Sequence, residues 1–135
     1  RRQAFASFLD AAQAGHSGAQ YNVYLMLLGG VGVERCQSDA LRWLKKAAAS
    51  GDVDAIRNLG FHYHEGHGVR RDLRRAAALY KKAARQGDAM AQWNLACCYN
   101  DGDGVRPSAR WSSFWMRKAS ANGHARATAY LKAHP

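Results

Sequence analysis

The chain has two prolines and three cysteines in 135 residues, ten acidic side chains against twenty basic ones, and no long apolar run. Each shortage removes a class of protein. Cys36, Cys97 and Cys98 are too few for a disulfide framework, and neighbouring cysteines on a helix are poorly placed to bridge each other. This usage points to a reducing, cytoplasmic compartment; a periplasmic or secreted one stays open if the chain is a processed or excised piece. Such a piece is expected, because the sequence begins at Arg1 with neither a methionine nor a secretory signal. The most apolar stretch, "YNVYLMLLGGVGV", is interrupted by glycines and far too short to span a membrane. With proline so scarce, and alanine and leucine so common, the chain reads as helix.

What is abundant is repetition. Gly15, Gly51, Gly87 and Gly123 are spaced 36 residues apart, and so are Ala19, Ala55, Ala91 and Ala127. The triplets Asn22/Asn58/Asn94, Gly30/Gly66/Gly102, Gly32/Gly68/Gly104 and Val33/Val69/Val105 keep that interval. Ten of the thirteen glycines fall in these columns. The chain therefore divides into repeats 15–50, 51–86 and 87–122, preceded by a half-unit at 1–14 and followed by a C-terminal capping helix at 123–135.

Each repeat is predicted to be a pair of helices. In the second, Ala55, Ile56, Leu59, Gly60 and Tyr63 recur at helical spacing and form one apolar face. Asp52 puts negative charge at the start, and Gly66 takes the positive-φ position that ends the helix. Asp72 is the expected N-cap of the next helix, where Ala76, Leu79, Tyr80 and Ala83 face inward. A lone pair cannot bury both of its faces, so the pairs must stack on a shared core. The expected fold is all-α, a right-handed α-α superhelix.

The stretches "AGHSGAQYNVYLMLLGGVGV", "SGDVDAIRNLGFHYHEGHGV" and "QGDAMAQWNLACCYNDGDGV", each followed by an alanine- and lysine-rich helix, resemble the Sel-one-like repeat. That family is a branch of the tetratricopeptide-like solenoids, and the resemblance covers essentially the whole chain. There are departures. The aspartate that usually follows the turn is present as Asp72 but replaced by Cys36 and Ser108, and Tyr24 stands where Gly60 and Ala96 stand. Some bacterial members carry a cysteine pair in every repeat; Ala48 and Ile56 hold the matching places here, so a stapled architecture does not carry over.

The histidines of "FHYHEGHGVRRD" invite a metal reading, which the spacing does not support. His62 and His64 point roughly 200° apart on a helix, and Gly66 interrupts the helix between His64 and His67. The third repeat has "CCYNDGDGV" in the same slots, so they read as variable turn positions. Neither a metal nor another cofactor is expected. GxSxG, P-loop and CxxC signatures are all missing, and no catalytic residue is assigned.

The resemblance implies that the first helices of the repeats line a concave face. Those segments, roughly 16–30, 52–65 and 88–101, carry five acids and one base, Arg57, so the positive charge lies mainly elsewhere. Tyr21, Arg57 and Trp93 stand one period apart; Leu25, Phe61 and Cys97 stand a turn further along. Both columns are out of phase with the core, and gathered exposed aromatics are what a peptide groove uses. In related tetratricopeptide grooves an asparagine at the matching slot bonds the ligand backbone, a role that falls on Asn22, Asn58 and Asn94. With Asp54, these residues make the expected binding face of a non-enzymatic scaffold for a peptide or partner helix.

The alternative is that the basic second helices bind nucleic acid or anionic lipid, given the formal charge of +10. The runs "RRDLRR" and "KKAARQ", however, contain no interleaved aromatics for base stacking, so nucleic acid is the lesser expectation. Self-association through the end repeats is a third, since Phe5, Phe8, Tyr130 and Leu131 lie on half-units.

Overall fold

The computed structural model describes residues 2–30 and 36–135, so Gly32 and Val33 of the turn columns lie outside the described residues. Eight helices follow in order: α1 (Arg2–Gln13), α2 (Ser17–Gly29), α3 (Gln37–Ala49), α4 (Val53–Glu65), α5 (Leu73–Arg85), α6 (Ala89–Asp101), α7 (Ala109–Ala121) and α8 (Ala125–Ala133). There is no strand among the described residues. Each helix from α2 to α7 has 13 residues, about 20 Å of rise. The uniform length follows from the 36-residue recurrence of the residues that punctuate each repeat.

From α4 onward the starts are set by side-chain caps. Asp52 accepts from the Ala55 amide at 2.9 Å, Asp72 from Arg75 at 3.1 Å and Asp88 from Ala91 at 2.9 Å. Ser108, standing where the aspartate was expected, caps equally well by accepting from Trp111 at 3.1 Å. Cys36 makes no such bond, because a thiol is a weak acceptor. At the other end Gly66 adopts φ 72°, and its amide and that of His67 both return to the His62 carbonyl. That conformation requires glycine, which is why its column repeats.

The chain forms two compact units, Arg1–Leu59 and Gly60–Pro135, with the boundary inside α4. In the first unit α1 packs on α2 and α2 on α3. Its core comprises Ala12, Val23, Tyr24, Leu27, the α3 stripe Ala40, Leu41, Trp43, Leu44, Ala47 and Ala48, and Ala55, Ile56 and Leu59. In the second unit α5 packs on α6, α6 on α7 and α7 on α8. Ala76, Ala77, Tyr80, Ala83, Ala84, Ala91, Leu95, Ala96, Trp115, Met116 and Ala119 are buried there. So many alanines let the helix backbones approach closely.

Two inward assignments in the second repeat are corrected. Tyr63 is half-exposed; Arg75 sits 5.3 Å over its ring and donates to its hydroxyl at 3.3 Å. Its neighbour His62 is buried instead, because its Nδ1 bonds the His67 carbonyl at 2.9 Å and so closes the turn. Leu79 is likewise half-buried, while Ala77 goes inside.

A buried glutamine recurs in both units. Gln20 donates to the Ala12 carbonyl at 3.2 Å and accepts from Ser50 at 3.3 Å. Gln92 donates to Ala84 at 3.0 Å and accepts from Asn122 at 2.9 Å. Each ties a first helix to the end of the helix before it. Burial of these amides is tolerated because the donor and the acceptor are both used. Ile56 holds the intervening position and is fully buried as an apolar side chain.

Candidate functional site

In the first unit the expected ligand residues lie on α2 and the start of α4. Leu25 is 43% exposed, and Tyr21 and Asn22 are half-buried. Tyr21 stacks on Tyr24 at 5.6 Å and accepts a 2.7 Å hydrogen bond from Asn58. Burial pushes the Tyr21 phenol upward, against the pull of the Arg57 guanidinium, so the hydroxyl keeps its proton. Asn58 also donates to the Asp54 carbonyl at 2.9 Å. Both of its N–H groups are thereby used, and only its carbonyl oxygen remains to accept from a ligand. Asn22 donates to the Gly18 carbonyl at 3.0 Å in the same helical pattern. Arg57, whose side chain is only 16% exposed, pairs with the Asp54 carboxylate at 3.1 Å.

In the second unit the geometry is more open. Phe61 is 44% exposed and lines a depression with His64, Glu65, Tyr80, Asn94, Cys97, Cys98, Asp101 and Asp103. A second depression is lined by Met90, Trp93, Asn94, His124, Ala125 and Arg126. Asn94 belongs to both. It therefore sits between an exposed phenylalanine on one side and an exposed methionine and half-buried tryptophan on the other. The first depression is acidic; the second is apolar with a basic margin.

The histidines of "FHYHEGHGVRRD" have separate partners. His64 reaches Glu65 with Nδ1 at 3.3 Å and Asp103 with Nε2 at 3.4 Å, while His67 meets Phe61 edge-on at 5.8 Å. No group of three His, Cys, Asp or Glu side chains among the described residues has metal-binding geometry. Burial pushes the Cys98 thiol up to about 12 and also raises Cys97, which disfavours the thiolate at both.

Three features are not set by the repeat columns. Trp93 stacks on His124 with centroids 5.0 Å apart and planes 10° apart, and the same histidine caps α8 by accepting from Ala127 at 3.2 Å. Met90 is exposed beside them. On α7, Trp111 and Phe114 are exposed amid arginines. The signal for the last was present: their column-mates Asp39, Arg75, Arg42 and Ala78 are not aromatic.

The Sel1 repeat matches at residues 17–52, 53–88 and 89–124. The chain belongs to the Sel1 repeat family. The matched units keep the 36-residue period and begin two residues later than the partition drawn from the glycines. Sel1 repeat proteins are non-catalytic repeat scaffolds that generally engage other proteins. The chain is similar to the solved structure of a Sel1 repeat protein from Oxalobacter formigenes, with 32% identity and a TM-score of 0.90 over 94% of this chain and 96% of that one. It is also similar to a protective antigen of uropathogenic Escherichia coli that displays an SLR fold, at 32% identity and TM-score 0.85. That match covers 88% of this chain but only 26% of the antigen. Cysteine rich protein B of Helicobacter pylori shares the fold, at 23% identity and TM-score 0.74 over 95% of this chain and 92% of that one. These matches identify the fold as a tetratricopeptide-like helical solenoid. Among curated proteins none matches significantly. No helix among the described residues is long and apolar enough to cross a membrane.

Proposed function

We propose that this Sel1 repeat chain is a non-enzymatic scaffold that binds an extended peptide or a partner helix on the face formed by its first helices, concave in solenoids of this family. The observation that carries the proposal is the placement of Asn94 between two open depressions, with Phe61 at one and Met90 and Trp93 at the other. An extended ligand needs apolar contacts flanking a polar side chain that can read its backbone, and this arrangement supplies both. The acids Glu65, Asp101 and Asp103 favour a ligand with positive charge at the Phe61 end. In the first unit the same columns, Tyr21, Asn22, Leu25, Arg57 and Asn58 with Asp54, are assigned to the ligand face as well.

Covering the exposed parts of Phe61, Met90 and Trp93, roughly half of each side chain, is worth about 0.7–1.5 kcal/mol each in gross terms. Ordering and association costs remove much of that, so affinity no tighter than micromolar is expected for a short ligand. The test is to select peptides from a random display library on the immobilised protein and titrate the winners against Phe61→Ala and Trp93→Ala. Each substitution should weaken binding about tenfold. Winners that bind both variants as tightly as wild type would remove the ligand from this face.

A further inference from the structure

The second helix of the third repeat departs from its counterparts at two surface positions. Trp111 stands where the earlier repeats have Asp39 and Arg75, and Phe114 where they have Arg42 and Ala78. Arg42, Arg75 and Ala78 are exposed and Asp39 is half-exposed, so the repeat builds its core without an aromatic there. Yet Trp111 and Phe114 remain 45% and 40% exposed. Burial in the core does not account for them.

Their surroundings are of one charge. Arg110, Trp111, Ser113, Phe114 and Arg117 line a single depression. Residues 110, 113, 114 and 117 fall on one helical stripe, with an arginine at each end. The two arginines are two turns apart, about 10.5 Å along the axis. Lys118 lies 5.2 Å from the Phe114 ring, and α7 contains no acid. Asp101 and Asp103, the nearest acids in sequence, line the Phe61 depression instead.

This pattern discriminates between occupants. A second copy apposed through this same helix would bring the same arginines against one another, which opposes symmetric association. A nucleic-acid base stacks best on a fully open ring face, whereas both rings carry neighbours over part of theirs. Trp111 has Tyr99 stacked at 6.4 Å, Phe114 edge-on at 5.3 Å and the Arg110 guanidinium at 6.0 Å. Phe114 also meets Trp115 at right angles at 5.1 Å. What the cluster offers is a ridged apolar patch bracketed by cations at a helical repeat distance.

We propose that α7 is a second docking surface, for an amphipathic acidic helix lying alongside it with carboxylates two turns apart on Arg110 and Arg117 and apolar side chains between them on Trp111 and Phe114. The partner is thus a different kind of ligand from the one assigned to the Phe61 face, and the two surfaces are tested separately.

The probe is a display library of helices of about 18 residues (~27 Å), with glutamates fixed at i and i+7, apolar residues at i+3 and i+4, and other positions randomised. Selected peptides are titrated by fluorescence anisotropy. Trp111→Ala and Phe114→Ala should each weaken binding about tenfold or more. Arg110→Glu combined with Arg117→Glu should abolish it, and replacing the peptide glutamates by lysine should restore it to that variant. Phe61→Ala should leave it unchanged. The substituted side chains are exposed, and an unaltered circular dichroism spectrum and melting temperature confirm that each variant is folded. Failure to recover any peptide sensitive to Trp111→Ala overturns the proposal. So does a single-stranded oligonucleotide that binds in a Trp111-dependent manner while the peptides do not.

Discussion

Replacing Gly60 by alanine sets two effects of known sign against each other. Gly60 lies inside α4, where alanine is favoured by about 0.5–1 kcal/mol through helix propensity. Its added Cβ would stand 2.9 and 3.0 Å from two carbons of the Tyr80 ring and 3.4 Å from the Ala76 carbonyl. Ordinary carbon contacts are about 3.5–4.0 Å, so the ring must yield by roughly half an ångström. Tyr80 is 3% exposed, and overpacking of this kind costs about 1–3 kcal/mol. The clash wins. The net loss is about 1 kcal/mol, a fall of roughly 3–5 °C in Tm for a chain of this size.

The other repeats name the compensating change. The columns pair Tyr24 with Leu44, Gly60 with Tyr80 and Ala96 with Met116, and all six residues are buried. Where the first helix carries the larger residue, the second carries a slimmer or more pliable one. Tyr80→Met alone should cost about 1–2 kcal/mol by loosening contacts, but combined with Gly60→Ala it reproduces the Ala96/Met116 pair. The double variant should be more stable than the sum of the single changes predicts by about 1 kcal/mol. Urea unfolding followed by circular dichroism measures all four corners of the cycle. A Gly60→Ala protein more stable than wild type, or strict additivity, would show that this pairing is not what limits the residue at position 60.

Two further outcomes follow from the titrating groups. His124 must be neutral at Nδ1 to cap α8, and its pKa is lowered by burial and then by Arg126. A lowered folded value means that the unfolded chain takes up the proton first, so the capping contribution is complete above pH ~6.5 and is lost as pH falls through the folded value. His124→Ala should remove about 1 kcal/mol and flatten that dependence, read as Tm against pH in both proteins. For the thiols, burial keeps Cys98 protonated, so a thiol reagent near neutral pH should modify the half-buried Cys36 well before Cys98, which should react only on unfolding. Rapid native labelling of Cys98 would mean that the α6–α7 core opens readily.

Much of this architecture is written locally. A glycine at positive φ follows each helix from α1 to α7, an aspartate or serine caps the starts of α4 to α7, and the 36-residue interval at which they recur sets six helices to one length. These choices are made within a few residues of chain and need no knowledge of the neighbours. Asp72, Gly66, Ile56 and Leu59 were therefore legible directly, as was the family.

Residues whose role depends on a partner far along the chain were not. Helical periodicity put Tyr63 inside, but His62 took that place because the turn carbonyl of His67 satisfies its ring nitrogen. The asparagine column looked uniform, yet Asn58 has both amide protons engaged, one by a tyrosine 37 positions away, while Asn94 lies between two depressions. The stacking of Trp93 on His124 and the clustering of Trp111 with Tyr99 likewise join separate helices. Punctuation is a short-range property of the backbone, so one sequence sufficed to determine the helices and their order. Exposure and hydrogen-bond supply are properties of the packed surface, and only the tertiary structure decided which side chains are left to meet a partner.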